Sequence, residues 1–391
     1  GAGERWGEKG VQQAAAVGPA ASLKRPRPAS EQRIYDTADE LGHEEPERDI
    51  SPAHPVPAAA AAAAVTQAKT DRMLRFFPDL ETHYLKTRAA RGAAGLVEFR
   101  KTLAQTTRFR GTTLLATLHH LDEQNNPSVV SSIEFDESGT LFATAGVTKK
   151  IKIFEIASVL RGGKDVDTHY PIREIPTRTK LSCLSWNMYM KSLIASSDYD
   201  GTVSVWDSNV CRSVREFREH SNRAWSVDFC TREPSRLVSA SDDCSVKVWN
   251  LNQDKCSLTI NTSANVCCAK FNPEVGHEVA FGSADHNVYS YDLRNPATPL
   301  CVFEGHWRAV SHVRFLSRSE LVSASTDSSL KLWYVTEQAS GTSFLGHANE
   351  KNFVGLTGTS DFIACGSEDN TVYIYHKNVS QPLLAHPFDR P

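Results

Sequence analysis

Apolar and polar positions follow two different periods along the chain, and the change between them lies near residue 111. Between residues 71 and 110 apolar side chains recur at spacings of three and four, as at Leu96, Phe99 and Leu103, which is the period of an amphipathic helix. From residue 111 onward they alternate with polar residues in short runs bounded by turn residues, which is the period of β-strands. The pattern predicts a short helical segment at 71–110 that packs on the edge of a strand-rich domain at 111–391.

Residues 1–70 follow neither period. They are rich in alanine, proline, glutamate and arginine, include an alanine run from Ala58 to Ala64, and hold few large apolar side chains. Such a segment cannot bury enough apolar surface to offset the entropy cost of ordering its backbone, so a disordered tail is predicted. The basic cluster Lys24-Arg25-Pro26-Arg27 matches a nuclear-import signal, although a solvated charge cluster is the more common origin of so short a run.

The strand-rich region contains an internal repeat that ends each time on an aromatic residue. Six such residues are separated by 52, 43, 42, 42 and 42 positions: Phe154, Trp206, Trp249, Tyr291, Trp333 and Tyr375. A period of about 40–45 residues is that of the WD40 repeat, in which each repeat supplies a four-stranded blade of a β-propeller. The repeats therefore predict an all-β WD40 propeller with six full repeats.

A seventh blade is expected from the way propellers close. A strand from one end of the chain completes the blade that begins at the other end, which leaves no exposed sheet edge. The strand-like segment Thr112–Leu118 precedes the first repeat and suits the outer strand of such a blade. The other strands of that blade would then lie beyond Pro391, so we expect a seven-bladed propeller whose seventh blade is incomplete in this sequence.

Each repeat also carries polar residues of the types found in catalytic sites. An aspartate stands six positions before five of the terminal aromatics, and a histidine lies upstream in three repeats. These residues are Asp200, Asp243, Asp285, Asp327 and Asp369, with His220, His306 and His347. An aspartate in a tight turn can hold backbone N–H groups and the histidine, and the histidine can reach a hydroxyl and the terminal indole. We therefore expect these residues to be structural, and no residue of the chain to be catalytic.

Composition narrows the function to interactions with proteins. The chain has 43 basic and 46 acidic residues and a net charge of −3, without a basic tract, which argues against nucleic-acid and anionic-membrane partners. No apolar run reaches the roughly 18 residues of a membrane span. The nine cysteines lack a CxxC pair or a Cys/His cluster. We therefore expect reduced thiols, no metal site, no cofactor, and a location in the nucleus and cytoplasm.

Several motifs are more specific than a WD40 repeat in general. They include Val130-Ser-Ser-Ile-Glu-Phe135, Ala195-Ser-Ser-Asp-Tyr199, Arg223-Ala-Trp-Ser-Val-Asp-Phe229, Tyr291-Asp-Leu-Arg-Asn295 and Asn349-Glu-Lys-Asn-Phe-Val-Gly-Leu356. With these motifs the chain resembles, from about Phe77 to His376, the propeller of the constitutive photomorphogenesis family of E3 ubiquitin ligases and its relatives, the suppressor-of-phytochrome-A proteins. Leu181-Ser-Cys-Leu-Ser-Trp186 is more similar to the ligases, which favours that family.

The resemblance implies a function in protein recognition. In the ligase family a RING domain and a coiled coil precede the propeller, and this sequence contains neither a RING-type Cys/His cluster nor a sustained heptad repeat. The chain then corresponds to the substrate-recognition part of an E3 ubiquitin ligase, which receives transcription regulators and photoreceptors for ubiquitination. The alternative is a non-catalytic regulatory scaffold of the suppressor-of-phytochrome-A type.

The resemblance also implies two sets of binding residues. Family propellers bind short acidic peptides with a Val-Pro pair, and the matching positions are Lys180, Tyr199, Arg223, Trp225, His286, Arg308 and Phe353. Arg308 stands where the plant ligases have a lysine, so the positive charge is kept at this position while the hydrogen-bonding geometry of the side chain differs. Trp307 beside it also departs from the pattern of the family. Tyr291, Asp292 and Arg294 resemble the docking box for the damaged-DNA-binding adaptor of cullin-4 ligases; an ordinary blade end with a solvated arginine is the alternative.

Overall fold

The computed structural model describes residues 58–109, 111–118, 129–162 and 169–388. Helix α1 spans Ala58–Arg108 and is interrupted at Gly92, whose backbone adopts φ 54° and ψ −124°. Its first part, up to Arg75, belongs to a separate compact unit of the chain. The disordered tail was expected at residues 1–70, and residues 1–57 of it lie outside the described part of the chain. Residues 58–70 are helical instead, because alanine has the highest intrinsic helix propensity.

The remaining elements are six four-stranded sheets, here called blades 1 to 6, and the short helix α2 (Ile156–Gly162). Blade 1 contains β1 (Val130–Phe135), β2 (Leu141–Gly146), β3 (Lys150–Glu155) and β4 (Arg173–Pro176). Blade 2 contains β5 (Leu181–Trp186), β6 (Leu193–Asp198), β7 (Val203–Asp207) and β8 (Arg212–Phe217). Blade 3 contains β9 (Ala224–Phe229), β10 (Arg236–Ser241), β11 (Ser245–Asn250) and β12 (Leu258–Asn261).

The second half of the array repeats the same arrangement of strands. Blade 4 contains β13 (Val266–Phe271), β14 (Glu278–Ser283), β15 (Val288–Asp292) and β16 (Cys301–Phe303). Blade 5 contains β17 (Val310–Phe315), β18 (Glu320–Ser325), β19 (Ser329–Tyr334) and β20 (Ala339–Phe344). Blade 6 contains β21 (Leu356–Gly358), β22 (Phe362–Cys365), β23 (Thr371–His376) and β24 (Leu384–Pro387).

Every blade is an antiparallel meander in which strands pair in sequence order. The first strands of consecutive blades contact one another in a series that runs through β1, β5, β9, β13, β17 and β21. They are therefore the inner strands, and the fourth strands form the exposed outer edge. Because neighbouring strands are antiparallel, the turns between second and third strands share one face with the links between blades. We call this the upper face, and the opposite one the lower face.

Apolar residues from adjacent blades form the core. Between blades 1 and 2, Ile151 and Ile153 pack with Trp186 and Ile194 in a buried cluster, and comparable clusters fill the next four junctions. Each of the five junctions includes one terminal aromatic of a repeat: Trp206, Trp249, Tyr291, Trp333 or Tyr375. The aromatic that marks a repeat in the sequence thus fills the space between that blade and the preceding one.

The expected polar network is present in blades 3 and 5. In blade 5, His306 Nδ1 lies 2.9 Å from Asp327 Oδ2, and His306 Nε2 lies 2.8 Å from Ser323 Oγ, which also accepts the Trp333 indole N–H at 2.8 Å. Blade 3 has the same network in His220, Asp243, Ser239 and Trp249. Although burial acts to raise it, hydrogen bonds from His306 and Ser329 hold the pKa of Asp327 at about 2.

The turn aspartate of blade 2 is Asp198, and the expectation for Asp200 was wrong. Asp198 Oδ1 accepts the N–H groups of Asp200 and Thr202, at 3.0 and 2.7 Å, and its Oδ2 accepts Thr179 Oγ1 at 2.7 Å. Asp200 itself is exposed. Residue spacing alone does not separate the two carboxylates, whereas the turn, which closes with Gly201 at φ 82°, selects the first.

The described residues form six sheets, so the seven-bladed expectation is not met within them. Thr112–Leu118, the expected outer strand of a seventh blade, forms no strand there. The start of this segment nevertheless lies close to blade 6, since Thr112 Oγ1 is 2.7 Å from His386 Nδ1 on β24.

Residues 76–108 of α1 pack against blade 6. Phe76 and Leu80 form a buried apolar cluster with Val379 and Leu383. Polar contacts join the same surfaces: Lys101–Asp361, Asp79–Ser380 and Gln105–His376. This part of the helix is therefore bound to the last blade by both apolar burial and side-chain hydrogen bonds.

Candidate functional site

All seven residues expected to bind peptide lie on the upper face. Lys180, Arg223, Arg308 and Phe353 lie in links between blades, Tyr199 and His286 lie in turns between second and third strands, and Trp225 lies in β9. They come from four different links and from blades 2, 3 and 4, and the meander topology brings them to one face because it sends every such turn and link in the same direction.

Four of these residues form a contiguous cluster. The guanidinium carbon of Arg223 lies 4.1 Å from the ring centroid of Tyr199 and 4.8 Å from that of Trp225. The rings of Trp225 and Phe353 are 5.1 Å apart with an interplanar angle of 54°. Since Phe353 comes from the link to blade 6, the cluster joins blades that are distant in sequence. We call these four residues the aromatic–arginine cluster.

Trp225 occupies an irregular position in its strand. In the pairing of β9 with β10, Ala224 is opposite Ser241 and Ser226 is opposite Ala240, so Trp225 is the extra residue of a β-bulge. A bulge leaves its extra residue outside the ladder and redirects its side chain. Trp225 is half-buried, which leaves part of its ring accessible from the upper face.

Two polar residues fix the Trp225 ring, and sequence reasoning missed both. Trp225 Nε1 donates to Asp242 Oδ1 at 2.6 Å, and Asn265 Nδ2 donates to the same oxygen at 3.0 Å. Asp242 stands where the repeats in blades 4 and 5 have Ala284 and Thr326. That departure from the repeat is the signal that could have identified it.

Arg223 keeps hydrogen-bond donors that the described residues do not use. Its Nε is buried and has no hydrogen-bond partner there. Its carbonyl oxygen accepts Asp242 N–H at 3.0 Å and Ser241 Oγ at 2.9 Å, so the backbone is fixed while the guanidinium lies against two rings. A guanidinium held in this way presents its donors in a fixed plane, which suits a carboxylate.

His312, another residue that sequence reasoning missed, lies next to the cluster. Its ring is 6.3 Å from that of Phe353 in an edge-to-face arrangement. Burial, together with the charge of Lys270, lowers the pKa of His312 to about 4. Lys270 is itself paired with Asp228, with Nζ 2.8 Å from Oδ1. At neutral pH His312 is therefore an uncharged polar neighbour of the aromatic rings.

The other three predicted residues lie outside the cluster. The Lys180 carbonyl accepts Tyr199 N–H at 3.0 Å, which places its backbone beside the cluster. His286 is exposed at the tip of its turn, with φ 78°. Arg308 is exposed, donates from Nη1 to the Glu350 carbonyl at 3.1 Å, and lies over the Trp307 ring.

The residues that resemble an adaptor box lie on the lower face, at the end of β15. Tyr291 is buried in the junction of blades 3 and 4. Arg294 binds Asp292 through two nitrogens, with Nε–Oδ1 2.9 Å and Nη2–Oδ2 2.6 Å. These hydrogen bonds, acting against partial burial, lower the pKa of Asp292 to about 2. The exposed guanidinium of Arg294 is thus held in one orientation by its neighbour.

Within residues 58–109, 111–118, 129–162 and 169–388, no group of three or more His, Cys, Asp or Glu side chains is arranged to hold a metal ion. None of the helices described there combines the length and apolar character needed to cross a bilayer.

Comparison with known proteins identifies close relatives. The family model "WD domain, G-beta repeat" matches residues 170–207, 211–250, 297–334 and 339–376. The chain is 52% identical over 296 residues to the E3 ubiquitin-protein ligase COP1 of Pisum sativum, covering 76% of this chain and 44% of that protein. It is 50% identical over 279 residues to Protein SPA1-RELATED 4 of Arabidopsis thaliana, covering 70% and 35%.

A shorter relative is covered over most of its length. WD repeat-containing protein RUP2 of Arabidopsis thaliana is 35% identical over 284 residues, which cover 67% of this chain and 76% of that protein. By contrast, the chain spans less than half the length of the ligase and of the SPA1-related protein that it matches.

Proposed function

Because the chain belongs to the family of WD40-repeat proteins that contains the COP1 ligases, the SPA proteins and RUP2, we propose that it is the substrate-recognition propeller of an E3 ubiquitin ligase. Its upper face binds short acidic peptides with a Val-Pro pair, which belong to target proteins such as transcription regulators and photoreceptors. The observation that carries the proposal is the contact of Trp225 with Phe353, with Arg223 lying over the Trp225 ring.

The apolar part of the peptide binds to Trp225 and Phe353. Both rings are half-buried, so they are held by the protein and still present apolar area to a ligand. Rigid aromatic side chains lose little conformational entropy on binding, which is why they dominate binding hot spots. Valine is compact and proline has a fixed φ, so a Val-Pro pair also loses little entropy when it binds.

The acidic part of the peptide binds to the cationic residues around these rings. Arg223 is the principal partner, because its guanidinium is already oriented by the rings of Tyr199 and Trp225. Lys180 and Arg308 add positive charge on the same face. Exposed charges are screened by salt, so this part of the affinity should fall as ionic strength rises.

Titration calorimetry with an acidic Val-Pro peptide tests the proposal. Trp225→Ala should weaken binding by about 2 kcal/mol or more, the hot-spot range, and Arg223→Ala should weaken it and reduce its salt dependence. Tyr189→Ala is the control, because this tyrosine is 63% exposed on the lower face. Binding that survives both upper-face changes, or that is indifferent to replacing Val-Pro by Ala-Ala, would remove the site from this surface.

We also propose that the lower face docks the adaptor of a cullin-4 ligase through Tyr291, Asp292 and Arg294. The upper and lower faces are formed by opposite ends of the strands, so a peptide and an adaptor would not compete for the same surface. This arrangement is what a substrate receptor needs, since it must hold its target and its ligase partner at the same time.

A seventh blade between blades 6 and 1 is a further part of the proposal. Every residue of the inner strands β1 and β21 is only half-buried, whereas β5, β9, β13 and β17 are mostly buried. Among the described strands, β21 and β1 also lack the extensive contact that joins the other consecutive inner strands. A chain extended past residue 391 by one blade should therefore melt at a higher temperature. Equal or lower stability of the longer chain would contradict the seventh blade.

The second candidate function is a non-catalytic regulatory scaffold. The identities of 52% to COP1 and 50% to SPA1-RELATED 4 are nearly equal, and the propeller therefore does not separate the two families. The upstream sequence of the full-length transcript separates them directly. A RING domain and a coiled coil would support the ligase, and a kinase-like domain would support the scaffold.

A further inference from the structure

The upper face carries a second aromatic–cation pair that is separate from the aromatic–arginine cluster. Trp307 lies in the link between β16 and β17, and 64% of it is exposed. The guanidinium carbon of Arg308 lies 4.8 Å from the Trp307 ring centroid. The Trp307 indole N–H has no acceptor among the described residues, so it can donate to a ligand. Tryptophan and arginine are the residue types most enriched in binding hot spots.

The backbone of this pair is held rigidly from below. Trp307 N–H donates to Asp327 Oδ2 at 3.2 Å, and the same oxygen lies 2.9 Å from His306 Nδ1. The side chains of His306 and Asp327 are fully buried. The polar network that stabilises blade 5 therefore also fixes the backbone of Trp307. A preorganised aromatic side chain needs little further ordering when it binds a ligand.

Arg308 connects the pair to the cluster. Its Nη1 donates to the carbonyl of Glu350 at 3.1 Å, and Glu350 precedes Phe353 by three residues in the same link. Three residues span at most about 10 Å even when fully extended. With the hydrogen bond and the guanidinium–ring distance added, the Trp307 ring lies within about 20 Å of Phe353, which about six extended peptide residues span.

We propose that Trp307 and Arg308 form a second subsite for the bound peptide, which takes an aromatic residue next to an acidic one. The aromatic residue stacks on the exposed ring of Trp307, and the neighbouring carboxylate binds the donors of Arg308 that Glu350 leaves unused. The subsite lies within about six peptide residues of the Val-Pro pair. This proposal rests on the proposed function of the upper face. The subsite would make the chain prefer peptides that carry an aromatic residue next to an acidic one.

The test uses the whole 391-residue chain and a parent acidic Val-Pro peptide without aromatic residues. A series of peptides carries one tyrosine next to an acidic residue, at positions from two to about six residues away on either side of the Val-Pro pair, the reach of an extended chain. Titration calorimetry should find at least one peptide that binds about three- to tenfold more tightly than the parent, the range of an aromatic pair. Trp307→Ala should lose this gain, and Trp307→Phe should retain most of it.

The controls separate the subsite from the site on which it rests. The parent peptide should bind Trp307→Ala within about twofold of the unchanged protein, and Tyr189→Ala, with a lower-face aromatic that is equally exposed, should keep the whole gain. If no tyrosine strengthens binding, or if the gain persists in Trp307→Ala, the subsite is overturned while the upper-face site stands. A parent peptide that does not bind overturns the proposed function, and the subsite with it.

Discussion

The indole Nε1 of Trp225 donates a 2.6 Å hydrogen bond to Oδ1 of Asp242. Asp242 is followed directly by Asp243, which holds His220 with Oδ2 2.8 Å from Nδ1. Two adjacent carboxylates in one turn therefore have different functions: the second stabilises the blade, and the first orients the aromatic ring proposed as the peptide anchor. Because a bulge removes Trp225 from the ladder, its ring direction depends on this side-chain acceptor rather than on strand pairing.

Asp242→Ala should weaken binding of an acidic Val-Pro peptide by about three- to tenfold. The reason is that a hydrogen bond contributes roughly 1 kcal/mol net, and without it the Trp225 ring is free to leave its binding orientation. Titration calorimetry measures the change. Asp242→Asn is the matched control, since its carbonyl still accepts the indole N–H while its negative charge is gone. It should bind an acidic peptide at least as tightly as the unchanged protein, and a loss equal to that of Asp242→Ala would contradict the orienting role.

Asp327→Ala should lower the free energy of unfolding by about 1–3 kcal/mol, because it leaves the buried His306 ring and the Trp307 N–H without their acceptor. Thermal or urea unfolding measures the loss. Asp200→Ala, which stands at the same place in its repeat, should change stability by no more than about 0.5 kcal/mol, since Asp200 is exposed. Equal losses in the two variants would show that the repeat position, and not the observed contacts, decides the effect.

Stability should fall as pH decreases from about 6.5 towards 4. Burial lowers the pKa of His376 to about 4, against the usual value of about 6.5 in an unfolded chain. Between these values the unfolded state binds a proton that the folded state does not, so stability is full above about pH 6.5 and is lost as the pH approaches 4. The contacts agree, because His376 Nδ1 accepts Asn378 N–H and cannot also carry a proton there.

His376→Gln should reduce this loss without abolishing it, since burial also lowers the pKa of His347 to about 4. Melting temperatures between pH 7.5 and 4.5 give the comparison. His286→Gln is the control, because this histidine is exposed, and the melting temperature of that variant should depend on pH as in the unchanged protein. An identical profile in His376→Gln would mean that the buried His376 does not titrate in this range.

Arg294→Ala should reduce co-purification of the cullin-4 adaptor and leave the melting temperature nearly unchanged, because the guanidinium is exposed and its side-chain hydrogen bonds within the described residues go to Asp292. Arg318→Ala, which removes another exposed arginine of the lower face, should leave adaptor recovery as it is. Recovery that is equal in all three proteins would identify Tyr291–Arg294 as an ordinary blade end.

The repeat pattern was sufficient to predict the blades and much of what stabilises them. The terminal aromatics fill the blade junctions, and His220 and His306 bind their aspartates as the spacing indicated. These features are local to one repeat or to neighbouring repeats, so the sequence contains the information directly. Spacing failed at Asp200, where the choice between two nearby carboxylates depended on how one turn closes.

The sequence by itself thus determined a WD40 propeller and the polar residues that stabilise blades 3 and 5, because a 42-residue period and its polar positions are readable along one dimension. Only the tertiary structure decided which upper-face residues touch. Trp225 and Phe353 belong to blades that are far apart in the chain, and they meet because the blades curve round a common centre. The contact of Trp225 with Phe353 and the link from Arg308 to Glu350 both depend on that packing, which no local pattern specifies.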